Sequence, residues 1–244
     1  LNDFQPEELN MCRASHLYRV FLTVIALQIA GVGCEKQPDL GKRLPKPTAK
    51  AENGWPLYEV TSENFAIAVP EGWVGFEANP ETMEQMIEQV AASNPGMAAY
   101  KETIRQQLKA GLRFFAMDEQ AAKSGSGTNV IVMKTAMMPG MSLKEMADLS
   151  AKEIAQVYTM VGPQKRERKK TPHGESERLD FTMEIKTPDG RGVKVTQTQY
   201  YFLSKPGDNK SDLFVIGVTT LPEKAGPLAE TITTICESFR PLKK

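Results

Sequence analysis

Histidine is nearly missing from this chain, net charge is missing altogether, and cysteine is scarce. The two histidines, His16 and His173, cannot supply an HExxH pair or a histidine-rich metal site, and no metal is expected. Thirty basic side chains cancel thirty acidic ones, so no global field draws in nucleic acid, and no such partner is expected. The three cysteines, Cys12, Cys34 and Cys236, make no CxxC and no spacing that suggests zinc or a disulfide framework. No GxSxG elbow, Ser-x-x-Lys pair or GxxxxGK[ST] loop occurs, so the common serine nucleophiles and the phosphate-cradling loop lack support. No uncharged run reaches the roughly 20 residues of a spanning helix. These absences point away from an enzyme and from a cofactor.

What is present begins near the N-terminus. The polar, acidic residues before Met11 read as an extension, with Met11 the expected working start. Arg13 and Arg19 supply a positive segment, and the fourteen residues Val20 to Gly33 carry no charge. That order, closed by Ala30, Gly31 and Gly33, is the order of a signal peptide. Gly33-Cys34 resembles the lipobox of bacterial lipoproteins, in which a small residue precedes a cysteine that is acylated and becomes the new N-terminus. Gly31 stands where that family prefers an aliphatic residue. The resemblance implies that residues 1–34, the extension, signal peptide and lipobox cysteine, direct export, that cleavage falls just before Cys34, and that a lipid on Cys34 anchors the chain to a membrane. Only Cys236 then stays in the folded part. Residues 35–54 follow as a tether: EKQPDLGKRLPKPTAKAENG, rich in proline and lysine, carries almost no large apolar side chain.

Residues 55–244 read as one domain, long enough for a core that buries roughly 70% of the unfolded surface. Tyr58 and Val60, then Phe65, Ile67 and Val69, alternate as half-buried strands do. Pro70-Glu71-Gly72 breaks the second of them. Asn79-Pro80 opens a pair of helices over Pro80–Lys109, interrupted at Asn94-Pro95-Gly96. Strands are expected over Leu112–Met117 and Asn129–Thr135, joined by a loop of serine and glycine that includes Lys123–Thr128. Ser142 and Glu145 are spaced as a capping box, opening a helix that runs to about Thr159. Lys165–Lys170 is expected as a solvated basic loop, with His173 in a loop after it. Leu179, Phe181, Met183 and Ile185 alternate. Asp189-Gly190 then turns the chain into a strand that runs to Leu203. A last strand covers Leu213–Thr220, and Leu228, Ile232, Ile235 and Phe239 stripe a C-terminal helix. The expected class is α+β, an antiparallel sheet of about six to seven strands covered by helices.

This order, with Phe65-Ala-Ile-Ala-Val-Pro-Glu-Gly-Trp73, the hairpin Leu179 to Leu203 and the closing Ser238-Phe239, resembles the PsbP/Mog1-like family over about Leu57 to Pro241. The resemblance implies a binding or assembly module of the cell envelope, not an enzyme. Its partner would be an envelope protein or a small apolar ligand. Met133, Met137, Met138 and Met141 offer a candidate surface, because thioethers repack against varied partners and also suit Cu(I). A copper-handling protein is therefore one alternative. The other is an envelope hydrolase that uses Asp180 and Glu184, which share a strand face. Trp73 is expected in the core or at the rim of a cleft. Tyr200 and Tyr201 must face opposite sides of their strand, which leaves one of them able to line an exposed surface.

Overall fold

The computed structural model describes residues 47–78, 84, 105, 111–118, 128–186, 192–205 and 211–242. The signal segment with Arg13, Arg19, Ala30, Gly33 and Cys34 lies outside these residues, as do most of the tether and the Asp189-Gly190 turn. Of the expected helices over Pro80–Lys109, Glu84 and Arg105 are described. Both are helical, and the Arg105 Nε–H donates to Glu84 Oε2 at 2.9 Å.

Chain order starts with three short antiparallel strands, β1 (Ala49–Lys50), β2 (Pro56–Val60) and β3 (Phe65–Ala68). The strands β4 (Trp73–Glu77), β5 (Leu112–Asp118) and β6 (Asn129–Ala136) follow, then helix α1 (Leu143–Val157). Beyond it lie β7 (Thr159–Met160), β8 (Lys165–Thr171), β9 (Gly174–Lys186), β10 (Gly192–Leu203) and β11 (Asp212–Thr220). The chain closes with the single turn α2 (Pro222–Ala225), helix α3 (Ala229–Glu237) and β12 (Arg240–Pro241).

Two sheets result. The small one runs β1-β2-β3-β12, and the large one runs β4-β5-β6-β11-β10-β9, with β7 and β8 sharing the outer edge of β9. Every described pairing is antiparallel, so the α+β expectation holds. The sheet is larger than expected because its last strands have no apolar pattern to announce them.

Alternation sorts the side chains of the large sheet onto two covered faces. One face carries Leu112, Ile131, Met133, Leu179, Phe181, Met183, Tyr201, Leu213 and Val215, and α1 seals it with Met146, Ala147 and Ile154. The other carries Phe114, Val130, Val132, Tyr200, Phe202, Phe214 and Ile216. The small sheet and α3 seal that face with Phe65, Ile67, Ile232, Ile235 and Phe239. Phe239 lies just past α3, with ring centroids 5.5 Å from Phe65 and 5.1 Å from both Phe202 and Phe214. Ser238 beside it accepts the Ala68 N–H at 2.9 Å and donates to the Ile235 carbonyl at 2.7 Å. The terminal Ser-Phe thus pins the C-terminus to β3.

Four expectations are corrected here. The Phe65–Ala68 strand is not half-buried: Ala66 and Ala68 pack with Leu57 against Trp55 and Leu242, so both faces are covered. Neither Tyr200 nor Tyr201 reaches solvent, because each points into one of the two cores. The basic run Lys165–Lys170 is a strand rather than a loop, paired along β9 from Lys165↔Asp180 to Thr171↔Gly174. The expected tether gives up its end to the fold, since Ala49 and Lys50 pair with Leu57 and Pro56.

Close approach explains one glycine. Gly111 has φ +125°, and a Cβ there would stand 2.5 Å from the Lys134 carbonyl oxygen. The same backbone carries the Lys134 N–H to Gly111 O bond at 2.8 Å, which sets the start of β5 against β6.

Candidate functional site

The start of α1 and the outer end of the large sheet meet at a pocket of about 200 Å³ lined by Ser142, Leu143, Lys144, Arg168, Glu175, Ser176 and Glu177. Its helix side follows from the capping box. Ser142 Oγ accepts the Glu145 N–H at 3.3 Å, and Glu145 Oε2 accepts the Ser142 N–H at 2.7 Å. These bonds hold the Glu145 carboxyl below its ordinary pKa, the Ser142 backbone bond contributing most. Two first-turn N–H groups remain, those of Leu143 and Lys144, with no acceptor among the described residues. They point along the positive end of the helix dipole.

The sheet side follows from register. Arg166, Arg168 and Lys170 stand opposite Leu179, Glu177 and Glu175, so all six share the face that α1 covers. Arg166 is ion-paired with Asp148 of α1, and Arg168 with Glu175. The first pair ties β8 to the helix, and the second ties β8 to β9 beside the pocket. Glu177 is 5% exposed and lines the pocket, yet its carboxylate has no hydrogen bond or ion pair among the described residues. Ser176 enters the lining from the strand, while alternation turns its side chain to the opposite face. β8 pairs with β9 alone among the described residues and is highly charged, which is how sheets protect an open edge.

On the opposite face Arg178 organises a second polar group. Its Nε–H donates to Asp180 Oδ2 at 2.7 Å, and its guanidinium lies 5.7 Å from the centre of the Tyr200 ring. Burial alone would lower the Arg178 pKa; the bond to Asp180, its charge and Tyr200 outweigh that and raise it. Burial pushes the Tyr200 phenol up to about 12. Thr198 Oγ1–H donates to Asp180 Oδ1 at 2.6 Å, so both oxygens of this carboxylate are occupied. Asp180 and Glu184 do share a half-buried face, opposite Thr198 and Lys194 respectively. Asp180's commitment to Arg178 and Thr198 makes it a holder of the sheet, a poor starting state for a general base.

The remaining sequence candidates fall in or near the cores. Met133 has no solvent exposure, and Met137 is buried with it under α1. Met138 and Met141 are partly buried against the same cluster, so Met133 forms no part of a surface and the group serves as packing. Trp73 is partly buried against the second core, at its margin. His173 sits in the turn between β8 and β9, where burial, then Arg240, lowers its pKa against the pull of Glu52. Cys236 is fully buried, and desolvation raises its thiol far above the ordinary range. The residues around the pocket are mostly polar or charged by type, but most of the surface they turn to it is apolar. Glu177 was missed because it lies in a mixed polar stretch, Glu175-Ser-Glu-Arg178, whose only sign is the Leu179–Ile185 alternation just after it.

No protein-family model matches the sequence, and no curated protein matches it. Among solved structures the chain is similar to LpqN of Mycobacterium tuberculosis, described as involved in cell envelope biogenesis. That match has 9% identity, covers 73% of this chain and 83% of that one, and has a TM-score of 0.49. It is similar to cyanobacterial PsbP from Synechocystis sp. PCC 6803 at 12% identity, over 76% and 91% of the two chains, with a TM-score of 0.45. It is also similar to the Ran-binding protein Mog1p of Saccharomyces cerevisiae at 10% identity, over 77% and 95%, with a TM-score of 0.44. PsbP and Mog1, the proteins that name the fold expected from the sequence, are thus among its structural neighbours.

Proposed function

We propose that this chain is exported, held on a membrane by a lipid on Cys34, and works there as a binding module without catalysis of its own. The observation that carries the binding part is the pocket beside an open, charged edge strand. A buried carboxylate, two helix N–H groups and two cations are gathered on one rim, where the fold itself uses only some of them. The charge order of residues 13–34 supports the export part. Among the described residues no helix is long and apolar enough to cross a membrane. The several acyl chains of a lipoprotein cysteine suffice for stable anchoring.

Two measurements test this reading. Fractionation of the native source should recover the chain with membranes, released by detergent and not by high salt. A photo-reactive side chain at Lys170, on the exposed edge, should give a discrete adduct that disappears when Arg168 alone is reversed to glutamate. An uncleaved chain in the soluble cell contents would contradict the proposal.

A further inference from the structure

Glu177 is 5% exposed as a whole residue, has no ion pair or hydrogen bond among the described residues, and lines the pocket. Such a group is stabilised by a donor that carries positive charge. Within the same lining stand groups of the opposite preference. The N–H groups of Leu143 and Lys144 lack acceptors at the start of a fifteen-residue helix, and the Lys144 side chain is beside them. A helix N-terminus with free N–H groups takes an anion. Arg168 is already ion-paired with Glu175, which leaves the exposed Lys144 as the second cation of the lining, beside the Glu145 carboxylate.

A simple cation would satisfy Glu177 and leave the helix end and Lys144 unused. A simple anion would do the reverse and meet the Glu177 charge. A molecule that carries both charges satisfies both ends at once. The pocket of about 200 Å³ lies below the roughly 300–1,000 Å³ of sites for drug-sized ligands, so the ligand is small or is the head of a larger one.

Resting on the reading of this chain as a binding module, we propose that the pocket binds a small zwitterion. A primary ammonium group meets Glu177, and an anionic group meets the Leu143 and Lys144 N–H groups and the Lys144 ammonium. Two sources carry this chemistry: a free zwitterion, such as an amino acid or phosphoethanolamine, and the head group of an ethanolamine phospholipid. A trimethylated ammonium lacks N–H donors and cannot satisfy the Glu177 oxygens, so the site discriminates between primary and quaternary amines.

The test is calorimetric titration of the full chain in detergent with glycine, phosphoethanolamine and dihexanoyl phosphatidylethanolamine, each beside its trimethylated counterpart. At least one primary-amine ligand should bind saturably and at least about tenfold more tightly than its trimethylated form, the scale of one lost charge-assisted bond. Glu177→Gln should remove that preference, and Lys144→Ala should weaken binding while keeping it. Tighter binding of the phospholipid than of phosphoethanolamine assigns the head group as source, and equal or weaker binding assigns the free zwitterion. Absence of saturable binding, or equal affinity for primary and trimethylated ligands, overturns the proposal. Should Glu177→Gln fail to fold, the ligand comparison on the wild-type chain with Lys144→Ala decides it alone. Failure here leaves membrane recovery and Cys34 acylation unaffected, so the broader reading stands or falls separately.

Discussion

Replacing Phe239 with alanine should remove a large share of the stability of this domain. Phe239 has no solvent exposure and touches Phe65 of the small sheet and Phe202 and Phe214 of the large one. Truncating a buried phenylalanine costs about 3–5 kcal/mol. Three aromatic neighbours, drawn from both sheets, leave little room for collapse into the cavity and place this site toward about 4–5 kcal/mol. Against a total of about 5–15 kcal/mol, that is roughly a quarter or more of the whole. Guanidinium unfolding followed by tryptophan fluorescence reads it directly, because Trp55 and Trp73 both pack against this core. The midpoint should fall with little change in slope. Melting should drop by about 8–20 °C for a domain of this size. Val157→Ala, at a position 56% exposed, is the control and should stay within about 0.5 kcal/mol of wild type. A loss below about 1 kcal/mol for Phe239→Ala would refute the packing of the C-terminus between the two sheets.

Glu153 of α1 gives a pH prediction: burial raises its pKa to about 6 from 4.5, and its Oε2 is buried without a partner. A carboxylate raised on folding binds its proton more tightly when folded, so stability is greatest below 4.5 and falls as pH rises through 6. Glu153→Gln should therefore stabilise the chain at neutral pH by on the order of 1 kcal/mol after solvent screening, with no gain in acid; chemical unfolding at both pH values checks it. Cys236, buried and with its thiol pKa raised by desolvation, should resist a thiol reagent in the native state and react fully in denaturant. Fast native labelling would mean that α3 is not packed as described. Gly111→Ala should cost more than about 1 kcal/mol, because it adds a Cβ against the Lys134 carbonyl at positive φ, and unfolding midpoints will show it.

The sequence made the covered strands legible and the polar ones obscure. Leu179, Phe181, Met183 and Ile185 alternate because one side of β9 faces α1 and the other is half open. The capping box at Ser142 was readable since both of its bonds lie within four residues. β8 was not readable as a strand: Lys165–Lys170 has no apolar side chain, and its ladder to β9 supplies the order that side chains do not. The Pro172-His173-Gly174 turn before β9 was the available sign of a hairpin. Tyr200 and Tyr201 show a further limit. Alternation told that they face opposite ways, but only the third layer, the small sheet with α3, shows that both ways lead inward. Gln197 and Gln199 would read as a solvent face, yet both are buried, linked at 3.0 Å and continued to Thr219 at 3.2 Å. The pocket was hidden for the same reason as β8, since its lining joins residues some thirty positions apart through strand register and one helix start.

The account depends most on what stands at the mature N-terminus. Mass spectrometry of the N-terminal peptide from the native membrane fraction should find Cys34 as the first residue, carrying two or three acyl chains. A cleaved but unmodified terminus would leave export standing and remove the tether. A peptide that still begins at or before Met11 would contradict the account and return Val20 to Gly33 to the fold.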